Sequence, residues 1–142
     1  FTGVEGQVRQ QLTPMVGASV FGDYVRAKLA DGGAGNNNNL PRIPAQRVGV
    51  KVDANWQAWS GVAEFYRVGK QDKVAAFETA TPGYNMLNLS ANYDTRIGTT
   101  PAQFYIKANN LTNELAYSHT SFIKNAAPLM GRNLTVGMRV TF

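Results

Sequence analysis

The last stretch of the chain, Asn133-Leu134-Thr135-Val136-Gly137-Met138-Arg139-Val140-Thr141-Phe142, alternates without a break. A β-strand sends successive side chains to opposite faces. Leu134, Val136, Met138, Val140 and Phe142 therefore form one wholly apolar face, and Thr135, Gly137, Arg139 and Thr141 form a small or polar one. The same period-two pattern recurs in Arg47–Trp56, where Val48, Val50, Val52, Ala54 and Trp56 oppose Arg47, Lys51, Asp53 and Asn55. It recurs again in Asn85–Tyr93 and in Phe104–Asn109. Weaker alternation marks Phe1–Leu12, Val16–Lys28 and Trp59–Val68, which brings the expected strands to seven. No long stretch shows the three-four spacing of a helix face, and 14 glycines interrupt every segment.

Connections alternate in length. Thr13-Pro14, Gln57-Ala58 and Asp94–Pro101 are short or moderate, whereas Leu29–Ile43, Gly69–Gly83 and Ala116–Arg132 are long and rich in Gly, Asn, Pro and charge. Tight turns at one end and long loops at the other are the pattern of an antiparallel up-and-down transmembrane β-barrel. A soluble β-sandwich or lipocalin-like barrel would share the alternation, with its apolar face turned into a core. Aromatics at strand ends (Trp56, Tyr93 and Phe142) and charges in mid-strand favour the membrane barrel, as interfacial girdles and a wet lumen require. Trp59 and Tyr24 fit the same girdle.

Composition narrows the function classes. Although 44% of the 142 residues are hydrophobic, no apolar run approaches the roughly 20 residues of a membrane-spanning helix. Phe1-Thr2-Gly3-Val4-Glu5 is not a secretory leader, so a mature chain or a piece of a longer one is expected. The net charge of +5 is spread singly along the chain, and no basic patch points to nucleic acid. Zero cysteines exclude disulfides, thiolate catalysis and Cys-based zinc sites. Gly32-Gly33-Ala34-Gly35 lacks the Lys-Ser/Thr of a phosphate loop and reads as a flexible loop tip. No catalytic constellation is present, so no enzyme activity and no cofactor are expected. The single histidine, His119, is the one loop candidate for ligand binding, since a neutral imidazole is a common metal ligand. Asp31, Asp72 and Glu114 are the carboxylates that could join it. A lone loop histidine also has a bland reading, as a loop residue and nothing more.

The terminal strand resembles the C-terminal β-signal of outer-membrane barrel proteins, with Phe142 as its final aromatic and Leu134, Val136, Met138 and Val140 at alternate positions. That resemblance implies recognition by the barrel-assembly machinery. A wider resemblance, to the C-terminal third of the barrel of TonB-dependent receptors, rests on four stretches. They are Phe1–Glu5, Asn39-Leu40-Pro41-Arg42-Ile43-Pro44-Ala45-Gln46-Arg47, Glu78-Thr79-Ala80-Thr81-Pro82-Gly83-Tyr84 and Asn109-Asn110-Leu111-Thr112-Asn113-Glu114-Leu115-Ala116-Tyr117. Tyr117–Lys124 and Ala127–Arg132 further resemble the branch that includes zinc-uptake receptors.

The resemblance implies that residues 1–142 are the last seven or so strands of a 22-stranded type of barrel, in the bacterial outer membrane and in contact with its lipid. It implies a role in importing a scarce nutrient, such as a metal ion or metal chelate. The energy would come from the TonB complex through a plug domain that these residues do not include. The alternative is a small closed outer-membrane barrel of adhesin or porin-like type with one more strand.

Overall fold

The computed structural model describes residues 1–30 and 37–141; Asp31, the Gly32–Gly35 loop tip and Phe142 lie outside the described residues. Seven strands follow one another: β1 (Thr2–Gln11), β2 (Val16–Arg26), β3 (Arg47–Trp56), β4 (Trp59–Val68), β5 (Tyr84–Ile97), β6 (Thr100–Asn109) and β7 (Asn133–Val140). Each pairs antiparallel with its sequence neighbour in a single sheet of order β1-β2-β3-β4-β5-β6-β7. No helix occurs among the described residues. The sheet is all-β, up-and-down and open, with β1 and β7 as its edges.

Five of the seven expected strands agree with the observed ones to within two residues at each end; β6 is an exception, beginning four residues earlier at Thr100. The exception beside it is β5. Asp94–Pro101, expected as a connection, is mostly strand, because Asp94, Thr95, Arg96 and Ile97 pair with Gln103, Ala102, Pro101 and Thr100. Only Gly98-Thr99 is left to turn, and Gly98 takes φ +62°, the left-handed conformation that a two-residue hairpin needs at its first position. Polar residues there hid the strand, although they still alternate.

Register assigns the faces, since directly opposed residues of an antiparallel pair point the same way. Starting from Val136, the chain of partners runs Ile106, Ala91, Gly61, Ala54 and Val16. The face so defined carries Val4, Val8, Val20, Val48, Val50, Val52, Phe65, Leu89, Phe104, Ile106, Leu134, Val136 and Met138, all exposed. A soluble monomer rarely leaves more than a few hundred Å² of contiguous apolar surface bare. This face spans all seven strands and has hydrocarbon as its natural solvent.

At the short-turn end, Trp56, Trp59, Tyr93 and Phe104 form a row of mutual partners across four strands. The Trp59 and Tyr93 rings sit 4.7 Å apart. Such a row is an interfacial aromatic girdle.

The opposite face carries Glu5, Arg9, Asp23, Arg47, Lys51, Asp53, Glu64, Asp94, Arg96, Lys107 and Arg139 by the same register. Arg9 reaches across β2 to Asp53 at 2.6 Å. The path exists because β2 has glycine there: a β-carbon at Gly17 would lie 2.6 Å from the Arg9 guanidinium and 3.0 Å from Asp53. Arg47 pairs with Asp23 at 2.8 Å. The ring of Tyr105 lies directly over Gly137 of β7.

Candidate functional site

Long connections leave the sheet from one end only: residues 27–46 between β2 and β3, 69–83 between β4 and β5, and 110–132 between β6 and β7. They are tied together through one carboxylate, Glu78. Its Oε1 accepts from the Arg42 backbone N–H at 2.9 Å and from Lys124 Nζ at 3.1 Å. The same oxygen lies 3.2 Å from His119 Nε2, and Oε2 accepts from the Ala75 N–H at 3.1 Å. Arg42 belongs to the first loop, Ala75 and Glu78 to the second, His119 and Lys124 to the third. A single side chain therefore joins all three.

His119 is buried, 5% exposed. Its Nδ1 is 3.0 Å from Thr81 Oγ1 and 3.4 Å from Lys124 Nζ. An ammonium can only donate, so Nδ1 is the acceptor and Nε2 carries the proton that goes to Glu78. The neutral ring with that tautomer satisfies every partner. Burial, then the neighbouring Lys124 charge, holds the His119 pKa below its ordinary value of 6.5, against the opposing pull of Glu78. At Glu78 burial acts to raise the pKa, but hydrogen bonds from Ala75, Arg42 and Lys124 outweigh it and leave the carboxyl below 4.5.

Further ties reinforce the cluster. Gln71 Nε2 donates to the carbonyls of Ile43 and Pro44 at 3.0 and 3.2 Å, and Asn37 Nδ2 donates to Val74 O at 2.8 Å. Thr79 Oγ1 meets Asn125 Oδ1 at 2.8 Å. The Arg42 guanidinium stands 3.7 Å above the Phe122 ring.

The third loop also lies down on the polar face. Ala116, fully buried, packs with Tyr84 and Met86 of β5, and Tyr66 and Val68 of β4 close round them. Its base is set by Asn110, 2% exposed, at φ +51°. Asn110 Nδ2 donates to the carbonyls of Glu114 and Met130, and Oδ1 accepts the Glu114 N–H. Asn110→Ala strands these buried groups, an effect of roughly 2–3 kcal/mol. The expected readout is faster hydrogen exchange at the Glu114 amide with β3 and β4 unaffected; unchanged protection would contradict the role given to Asn110.

The sequence pointed to His119 but to other companions. Asp72 pairs instead with Lys70 at 3.4 Å on the exposed surface, and Glu114 is held through its backbone by Asn110. Asp31 lies outside the described residues. Among the described residues no group of three or more His, Cys, Asp and Glu is placed to hold a metal ion. With both ring nitrogens engaged, His119 works in this arrangement as a loop clasp. Glu78 and Lys124, its actual partners, carry no spacing that announces them. Glu78 does open the Glu78–Tyr84 segment, and Arg42 sits within Asn39–Arg47, two of the runs singled out in the sequence.

Protonation should undo the clasp. A protonated Nδ1 loses its acceptor role and faces the Lys124 ammonium; Glu78, Lys124 and Thr81 are the groups in contact with the ring, and the Asp23–Arg47 pair borders the same cleft. Because the folded pKa of His119 is depressed, the released form binds the proton more readily. The closed state therefore loses stability as pH falls below about 6.5. Glu78, also depressed, adds a second loss as pH drops below 4.5. Spin labels at Phe77 and Ala126, both exposed, should report a wider and broader distance distribution at pH 5 than at pH 8. His119→Asn should abolish the upper step of that change.

Comparison with known proteins places this geometry. Residues 1–111 match the family described as TonB dependent receptor-like, beta-barrel. Among solved structures, one titled Copper transporter OprC superposes with a TM-score of 0.77 at 16% identity, over 96% of this chain and 23% of that one. At such identity the likeness carries the fold, and the chain spans under a quarter of that structure.

Proposed function

Since the chain belongs to the TonB-dependent receptor family by its β-barrel, and so to the bacterial outer membrane, we propose that it forms the C-terminal part of a receptor barrel importing a scarce nutrient, a metal ion or metal chelate. The family match over residues 1–111 carries this reading. Supporting it are the open seven-stranded sheet, whose two edges leave room for further strands of a larger barrel, and the three clasped loops above a charged inner wall. A plug domain elsewhere in the polypeptide would couple the barrel to the TonB complex. Ligand entry would require the loops joined at Glu78 to part.

The resemblance of Tyr117–Lys124 to zinc-uptake receptors and the likeness to a copper transporter both favour a transition metal as cargo. Uptake of labelled copper, zinc and a ferric chelate by cells with and without the receptor identifies it. Uptake that vanishes when TonB is inactivated is the expected result. Entry that persists without TonB would instead favour a small closed, porin-like barrel.

We also propose that the barrel-assembly machinery engages β7 through Leu134, Val136, Met138 and Val140, with Phe142 as the terminal aromatic. An edge strand with one apolar face is a template for strand addition. Phe142→Asp is expected to lower the amount of heat-modifiable receptor in the outer membrane severalfold, and unchanged levels would remove the signal role.

A further inference from the structure

The three long loops are not joined to one another in the same way. Residues 27–46 and 69–83 share six hydrogen bonds, each using a backbone atom. Asn37 and Asn39 donate to Val74 O, and the Arg42 N–H donates to Glu78. Gln71 donates to the carbonyls of Ile43 and Pro44, and the Gly69 N–H donates to Gln46 O at 2.8 Å. Residues 117–128 of the third loop reach those two loops through side chains alone among the described residues. His119 meets Glu78 and Thr81, Lys124 meets Glu78, Asn125 meets Thr79, and Phe122 lies under the Arg42 guanidinium. A tie between side chains breaks by a change of rotamer; a tie to backbone breaks only when the chain itself moves.

The two legs of the third loop are closed below this segment. The Leu129 N–H donates to Ala116 O at 2.8 Å and the Arg132 N–H to Asn113 Oδ1 at 3.0 Å. The Leu111 N–H donates to Leu87 O of β5 at 2.9 Å. With Asn110 holding Glu114 and Met130, and Ala116 seated on Tyr84 and Met86, residues 110–116 and 129–132 form a base fixed to the sheet. Above that base the backbone bonds only to itself. The Ser121 N–H donates to Ser118 O at 3.1 Å, and those of Ala126 and Ala127 to Ile123 O at 2.9 Å. Pro128 has no N–H with which to add a bond between the legs.

His119 and Lys124 are the only buried residues of 117–128. Both are polar, so lifting the segment bares no buried apolar side chain, and water can replace the partners it loses. Few buried apolar contacts mark a unit that opens locally while the rest of the fold stays closed. Against it lies a cavity of about 270 Å³, bounded by residues 117–120 on one side and, on the fixed side, by the Asp23–Arg47 pair, Thr81 and Tyr84 among others.

We propose that residues 117–128 are a lid that swings as one piece about Ala116–Tyr117 and Pro128–Leu129. It leaves a post made of the first two loops, which stay joined, and uncovers the cleft. The lid's service as a cargo gate rests on the import function proposed above, whereas its motion as one piece does not.

The test uses the intact receptor with spin labels on cysteine pairs in an otherwise cysteine-free background; residues 1–142 have no cysteine of their own. Three pairs at exposed positions separate the pieces: Phe77 with Ala126 (post to lid), Phe77 with Leu115 (post to base) and Pro41 with Asp72 (within the post). When Lys124→Ala is combined with Asn125→Ala, the first pair should gain a longer distance absent from the parent. The other two should keep theirs. A Pro41–Asp72 distance that lengthens as well would show all three loops parting. A Leu115 label that travels with Ala126 would show the whole third loop swinging. Either result overturns the lid, as does an unchanged first pair.

A second arm keeps the His119 and Lys124 ties. Thr79→Cys with Asn125→Cys, at side chains that stand 2.8 Å apart, is joined by a short reducible bis-methanethiosulfonate. The locked receptor should lose its uptake of labelled copper, zinc or ferric chelate, whichever the parent imports, and recover it on reduction. Full uptake in the locked form overturns the gate. A parent that takes up none of the three tells against import, and the spin-label distances still decide the lid.

Discussion

Glu78→Ala is expected to release the three external loops from one another while leaving the sheet intact. The substitution removes the acceptor of four groups: the Arg42 and Ala75 amides, Lys124 Nζ and His119 Nε2. The Lys124 and Glu78 side chains are 8% and 9% exposed. Deleting one member of a buried, hydrogen-bonded ion pair typically costs about 3–5 kcal/mol, mostly because the other charge is left without compensation. A loop can move outward and rehydrate its lysine, so the loss should appear as loop opening more than as barrel unfolding.

Hydrogen exchange is the direct measurement. The Arg42 and Ala75 amides should lose protection by about two orders of magnitude or more, the equivalent of 3 kcal/mol. Amides of β3 to β5 should keep theirs. Glu78→Gln retains an acceptor oxygen and should fall between. If Arg42 and Ala75 exchange as slowly in Glu78→Ala as in the parent, the loops are held by something else. In the uptake assay, transport of a bulky chelate should respond to Glu78→Ala if loop parting limits entry.

The second large effect lies on β7. Val136→Arg is expected to abolish or sharply reduce insertion, whereas Thr135→Arg, one residue away, should be tolerated. Val136 is 71% exposed on the apolar face, opposite Ile106, and Thr135 shares the polar face with Lys107. Mid-membrane arginine on the lipid side costs about 2–4 kcal/mol, a large share of the 5–15 kcal/mol that holds a typical fold together. The readout is the fraction of receptor that migrates as folded barrel on unheated gels. Equal tolerance of both substitutions, or the reverse order, would show that the faces are exchanged. A register slip of one residue would produce that exchange, because side chains alternate strictly along a strand.

That strict alternation made most of the architecture legible in the sequence. Strand order, most strand ends and the two faces follow from local pattern: Val48 to Trp56 and Leu134 to Val140 could be read without a tertiary contact. Membership of the receptor family was likewise visible, in Asn39–Arg47, Glu78–Tyr84 and Asn109–Tyr117. The β5–β6 hairpin was read too short because Thr95, at an apolar-face position, is polar and is flanked by the polar-face Asp94 and Arg96. Register with β6, not composition, keeps them in the sheet.

What only the tertiary structure decided lies in the loops. Arg42 and Glu78 meet across 36 positions, and Glu78 and Lys124 across 46. A strand repeats its environment every second residue, so a short window of sequence contains its whole rule. A loop residue has no repeating environment. Its partner is set by where the sheet delivers the ends of other loops, and that distance in space leaves no trace in the spacing along the chain. His119 was thus found by its chemistry, as the one imidazole present. Its neighbours Glu78, Lys124 and Thr81 became visible only once seven strands had brought three loops to the same end.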